Sequence, residues 1–240
     1  MMERSPLPFH AHGHDSVRIV DVSHHNDVPL LNNMYDSRLI DGVIIRASFG
    51  ANSRDKKTAE WVEWCKQKKL PFGFYHYSYA TEVMEVHEEV QNFALVVREY
   101  LNNDLFRLGV YMDWEDADGY KLKNGLNVYS SKAFEIINEW LKQLDVIYNF
   151  AGLYMSKYLW EEFDDTFNEA YNHDDIYKGK IFKWIAQWGI HKSLVDKESN
   201  EIPEKEYFLW QYSNSPCDVN VMDLECFKKI KRKGQYFYED

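Results

Sequence analysis

The feature that most constrains this chain is a series of short, nearly uninterrupted apolar runs separated by segments of helical spacing. The runs are SVRIVDV (16–22), GVIIRA (42–47), PFGFYHYSYA (71–80), LGVYMDW (108–114), GLYM (152–155), IFKWIAQ (181–187), YFLWQY (207–212) and VNVM (219–222). Between them, Val28 to Leu39, Lys56 to Lys69, Val83 to Tyr100 and Ser131 to Leu144 repeat apolar residues with a helical period; Trp61, Trp64 and Cys65 share one such face. A strand with one wet face alternates in polarity, whereas a strand covered on both faces is apolar throughout. Such strands alternating with helices predict a parallel sheet covered by helices. Toward the C-terminus the strands crowd together and leave little room for crossover helices. An α/β fold built as an incomplete or irregular barrel is therefore expected, with a doubly wound sheet as the second arrangement.

At 240 residues the chain is long enough for one sizeable core. No internal repeat or low-complexity linker divides it, so residues 16–240 are expected to form a single domain. Residues 1–15 read as a flexible extension, because Gly13 and two prolines precede any periodic element. His10, His12 and His14 alternate and could share a strand face to bind metal, but a flexible tail fits the segment better. That N-terminus lacks the apolar core of a signal peptide, and no run approaches the length of a membrane span. A basic helix is expected beyond residue 222.

Acidic residues outnumber basic ones, 39 to 28, so no basic stripe is available to neutralise phosphates and nucleic acid is excluded as a partner. Aromatic residues make up 16% of the chain, enough to line a sugar groove as well as fill a core. Cys65, Cys217 and Cys226 are odd in number and lack metal-ligand spacing, which argues against a disulfide framework and for synthesis in a reducing compartment.

The chemistry concentrates at strand ends. In LGVYMDWEDADG (108–119) an apolar run ends directly in the three carboxylates of Asp113-Trp114-Glu115-Asp116. Asp113 and Glu115, at i and i+2, point to one face of a strand, roughly 7 Å apart along the backbone. In a barrel they would stand at the C-terminal mouth, where paired carboxylates divide the roles of acid and ionised partner. Alone, such a pair is equally a solvated strand end. Other strand ends add Asp21, Tyr75-His76-Tyr77 and Asp218, and polar ends converging on one mouth are what a barrel active site requires. His24 and His25 beside Asp21 raise a metal alternative, but no matching ligand motif follows downstream, so no metal or other cofactor is expected.

VDVSHHN (20–26), GVIIRAS (42–48), PFGFYHYSYA (71–80), GVYMDWED (109–116), WIAQWG (184–189) and WQYSNSPCDVN (210–220) together resemble glycoside hydrolase family 25, the Chalaropsis-type lysozymes that include many phage endolysins. The stretches occur in the family's order and cover nearly the whole chain from residue 17. The resemblance implies a flattened, irregular TIM-like barrel of about five β/α units with extra C-terminal strands. It implies hydrolysis of the β-1,4 bond between N-acetylmuramic acid and N-acetylglucosamine of bacterial peptidoglycan.

By the same resemblance Glu115 is the general acid, and Asp113, Asp21 and Asp218 are the other catalytic carboxylates. Tyr75, Tyr77, Trp188 and Tyr212 fall on aromatic positions suited to line the groove; core packing is their other reading. Either the substrate's 2-acetamido oxygen or Asp218 would then attack the anomeric carbon, with the acetamido route preferred. A monomer is expected, with no membrane partner. A phage or prophage lysin made in the cytoplasm, and released through a holin or carried in a particle, fits the missing signal peptide.

Trp114 between the two acids departs from the family's pattern; by alternation it should face away from the cleft. Residues 164–180 and 190–206 are individual to this chain and are candidates for shaping substrate preference. Two rival readings remain. A chitinase would need an Asp where Tyr111 stands, and a peptidoglycan-binding module of little activity would not need all four carboxylates.

Overall fold

The computed structural model describes residues 9–11, 14–148, 150–170, 181–188, 208–214, 217–224 and 227. His12, Tyr207, Cys226, residues 171–180 and 190–206, and the tail expected as a basic helix beyond Phe227 lie outside the described residues.

β1 (Phe9–Ala11) folds back antiparallel on β2 (His14–Val22), so part of the segment expected as a flexible extension carries a strand. β2 pairs in parallel with β3 (Gly42–Phe49), whose end turns back into the short β4 (Ser53–Arg54). The parallel series continues through β5 (Phe72–Tyr77), β6 (Phe106–Asp113), β7 (Ala151–Ser156), β8 (Ile181–Ala186) and β9 (Leu209–Ser213). β10 (Asp218–Asp223) then runs antiparallel to both β9 and β2 and closes the ring. The connection from Ser213 to Asp218 is too short for a parallel crossover, which needs a dozen or more residues, so the last strand reverses. The result is an irregular α/β barrel of eight strands, as the apolar runs predict.

Helices follow the parallel strands. α1 (Val28–Asp36) follows β2, α2 (Thr58–Lys68) follows β3 and its hairpin, and α3 (Val86–Arg98) follows β5. A 3₁₀ turn, Val83–Glu85, precedes α3, held by a reciprocal capping box between Glu82 and Glu85. After β6 come α4 (Tyr120–Lys123) and α5 (Ser131–Tyr148). α6 (Lys157–Ala170) follows β7, where the sequence reads only as a polar stretch. The acidic residues of KYLWEEFDDTF mask a helical stripe: Leu159, Trp160, Phe163 and Phe167 are buried on one face.

The interior of the barrel is an aromatic floor. Trp184 of β8 is met edge-on by Tyr75 of β5, Tyr111 of β6 and Tyr154 of β7, with ring centroids 6.1, 5.3 and 4.8 Å away. Gly152 makes room for this floor. It is the register partner of Tyr111 on β7, and a Cβ there would lie 2.1 Å from the tyrosine ring. Gly152→Ala should therefore overpack the floor and cost about 1–3 kcal/mol. Thermal denaturation should read this as a melting temperature several degrees lower; an unchanged melting temperature would mean the floor yields freely.

Candidate active site

The C-terminal ends of the parallel strands carry the carboxylates. Asp113 is the last residue of β6 and Glu115 lies two residues beyond. Asp21 is near the end of β2, and Asp218 opens β10 as its direct register partner. In the ring, β10 and β6 are separated by three strands on either side, so the Asp21–Asp218 pair stands across the mouth from Asp113 and Glu115.

A buried polar network holds Asp21. Its Oδ2 accepts hydrogen bonds from Gln211 Nε2 (3.0 Å) and Asn220 Nδ2 (2.7 Å). Asn220 also donates to the Ile19 carbonyl and accepts from Trp184 Nε1 at 2.6 Å, so the aromatic floor and the carboxylate share one bracket. Gln211 Oε1 accepts from Tyr154 Oη (3.0 Å) and from Trp188 Nε1 (2.7 Å). Asp113 is different. It is only 6% exposed, yet its Oδ1 accepts no hydrogen bond among the described residues.

The electrostatics follow from four acids sharing one poorly solvated mouth. Burial, reinforced by the charges of Asp218 and Glu115, pushes Asp21 up to about 8 against its two amide donors. Burial raises Asp218 to about 6. Glu115 is pushed up to about 7 by burial and by Asp218 and Asp118, with Lys121 and Arg46 opposing. Asp113 lies well above the carboxylate range through burial, then Glu115 and Asp21. With these shifts the mouth holds protons as well as charge at neutral pH. A raised Glu115 is a carboxylic acid able to give a proton near neutral pH.

Tyr75 and Tyr77 share the inner face of β5, and both phenols are raised by burial. The Tyr75 hydroxyl lies near Asp21, Asp113 and Asp218, and that of Tyr77 near Glu115 and Asp113. Trp188, just past β8, is 49% exposed while its indole N–H is anchored on Gln211. Tyr212 is not part of this group. It is the chain neighbour of Gln211 and so faces the other side of β9, where it lies near Trp210, Arg18 and Cys217. Trp114 turns away from the mouth, as alternation predicts, and its Nε1 donates to the Val128 carbonyl at 3.4 Å.

The remaining acids of residues 108–119 have local work. Asp116 accepts from the backbone N–H groups of Lys121 (2.7 Å) and Leu122 (3.0 Å), and Asp118 accepts from Tyr120 N–H and from Tyr79 Oη. They close the turn that follows Glu115. His24, considered above as a metal ligand, instead lies against Asp55 (3.0 Å) and Arg46 (2.6 Å). Sequence reasoning missed Gln211, Asn220, Tyr154 and Lys121. The visible signal was parity: Asn220 shares a strand face with Asp218 inside an otherwise apolar run.

Among solved structures, the fold is similar to a muramidase from Trichobolus zukalii, with TM-score 0.64 and 16% identity, covering 90% of this chain and 99% of that one. It is similar to the catalytic domain of endolysin ply40 from bacteriophage P40 of Listeria monocytogenes, with TM-score 0.62, 22% identity and coverages of 90% and 97%. The modular autolysin LytC from Streptococcus pneumoniae, solved with a synthetic peptidoglycan ligand, gives TM-score 0.62 at 21% identity, covering 89% of this chain and 49% of that one. No curated protein sequence matches the chain. The profile of the family described as "Glycosyl hydrolases family 25" matches residues 20–221, and with that span matched the chain belongs to this family.

Proposed function

We propose that this chain is an N-acetylmuramidase that cleaves the β-1,4 bond between N-acetylmuramic acid and N-acetylglucosamine in bacterial peptidoglycan. The observation that carries the reading is the pair of carboxylates facing a second pair across the barrel mouth, over an aromatic floor. Membership of the family and similarity to muramidases and endolysins support it. Among the described residues no helix is long and apolar enough to cross a membrane. The working unit is a monomeric domain over residues 16–240 acting on the cell wall, in the manner of a phage or prophage lysin released by a holin or carried in a particle.

Glu115 is the acid. It gives its proton to the glycosidic oxygen as the bond from the anomeric carbon breaks. The 2-acetamido oxygen of the same sugar attacks that carbon from the opposite face, so no enzyme carboxylate need bond to it. Asp113 supports this route: its buried Oδ1, without a hydrogen-bond partner among the described residues, can accept the acetamido N–H and raise the nucleophilicity of the carbonyl oxygen. Asp218, largely ionised at neutral pH, balances the positive charge that develops on the ring, and the protonated Asp21 beside it positions the sugar. Water then opens the cyclic intermediate, and the Glu115 carboxylate takes its proton.

Retention of configuration is expected, with the β-anomer formed first in the NMR spectrum of the reducing end. A 2-fluoro glycoside lacking the acetamido group should leave the protein's intact mass unchanged; an adduct mapped to Asp218 would make that residue the nucleophile instead. Clearance of purified cell walls tests the activity itself.

Trp188 offers a flat, half-exposed ring to a sugar face. Trp188→Ala should weaken binding of glycan fragments by about tenfold, the 1.4 kcal/mol scale of a lost apolar contact. Calorimetric titration would measure this. A large fall in melting temperature with binding unchanged would return Trp188 to a packing role. Tyr75 and Tyr77 complete the proposed sugar-lining aromatics; Tyr212, on the outer side of β9, takes its other reading and packs against Trp210.

A further inference from the structure

Lys121 is the largest anomaly in the molecule. It sits on α4 with 0% of its surface exposed, where burying an ammonium is strongly unfavourable unless charges and acceptors surround it. Its Nζ donates to the backbone carbonyl of Ser78 and, at 2.6 Å, to that of Glu115. It lies over the ring of Trp114 at 4.5 Å and beside Tyr77 at 5.3 Å. The carboxylates facing it are Asp113, Glu115, Asp116 and, from α3, Glu89.

The two carbonyls belong to the ends of neighbouring strands. Ser78 follows β5, and its N–H donates to the Asp113 carbonyl at 3.2 Å. The ammonium therefore staples the two strand ends where Glu115 leaves the sheet. Asp116 holds the same turn from the other side through the Lys121 and Leu122 N–H groups. A lysine needed only for packing would not require both an acceptor at Glu115 and a place beneath the Asp113–Glu115 pair.

We propose that Lys121 is a positioning residue for the reaction, fixing the backbone of Glu115 and holding a positive charge beneath the two carboxylates of the acid strand. This role rests on Glu115 being the acid. The charge opposes the effect of burial on Glu115, alongside Arg46, while Asp218, Asp118, Asp113 and Asp21 act in the opposite sense. Without Lys121 the acid would hold its proton to higher pH and deliver it less readily.

The test is the pH dependence of kcat and KM on a soluble glycan fragment for Lys121→Met, Lys121→Gln and Lys121→Arg, with melting temperatures measured alongside. In the neutral variants the alkaline limb of kcat should move up by about one pH unit. At the optimum kcat should fall at least about tenfold, with KM within about threefold. Lys121→Arg, which keeps the charge, should hold the limb at its wild-type position. Should the Met variant not fold, Lys121→Gln carries the same test, since its uncharged amide keeps a hydrogen-bond donor on a side chain one atom shorter.

A folded neutral variant with unchanged limb and kcat would overturn the role. So would an arginine variant whose limb moves as far as the neutral ones. Glu115→Gln belongs in the same assay: if it keeps wild-type turnover, the reading of the acid fails and the role of Lys121 falls with it. If Glu115→Gln is inactive and the Lys121 variants are unaltered, only the role of Lys121 fails.

Discussion

Glu115→Gln should lower turnover on cell walls at least about 100-fold, the low end of what a general acid contributes. The substitution keeps the shape of the side chain and removes its proton. The surroundings favour an acid over a carboxylate: burial and the charges of Asp218 and Asp118 lift Glu115 to about 7. Wild-type activity should accordingly decline as pH rises through that region and Glu115 loses its proton. The variant's residual activity should lack this alkaline limb. Half of wild-type turnover in a clean preparation would remove Glu115 from the chemistry.

Asp21→Asn should separate activity from stability. Burial, with Asp218 and Glu115, raises Asp21 from its ordinary 3.8 to about 8, so the folded protein binds a proton that the unfolded chain has already released. Stability from this site is fully present below pH about 4 and is lost as pH rises toward 8. An asparagine carries no charge to bury, and its carbonyl can still accept from Gln211 and Asn220. The variant should melt several degrees above wild type at pH 8, with the gap closing toward pH 4. Turnover should fall about tenfold, the 1.4 kcal/mol scale of one lost hydrogen bond to the sugar. A gap that does not change between pH 4 and 8 would mean that Asp21 is not held protonated by the fold.

The trade explains why such a costly arrangement persists. Four acids crowded at one mouth, two of them buried, weaken the fold at neutral pH. The bracket of Gln211, Asn220, Tyr154 and Trp184 holds Asp21 in one geometry and recovers part of that loss. Replacing those amides with apolar residues would leave Asp21 buried without donors, the more damaging change.

Much of this molecule is local and therefore legible in one chain. The apolar runs set the strands, because a segment covered on both faces must be apolar on both. The stripe of Trp61, Trp64 and Cys65 set α2. Asp113 and Glu115 were readable as a pair because a two-residue period puts them on one face, and the same parity turned Trp114 away. What the sequence could not supply is which face of a fully apolar strand becomes the inside of the barrel, and what it meets there. That required closure by β10, which brings Asp218 beside Asp21 and Gln211 to within hydrogen-bond reach of it, 190 residues away along the chain. It also required the turn after Glu115 to fold inward, carrying Lys121 from a charged segment without an apolar period into the core beneath the acids. Periodicity encodes burial one segment at a time; charges made to face each other across a closed barrel are decided only when the last strand reverses and pairs with the first strand of the ring.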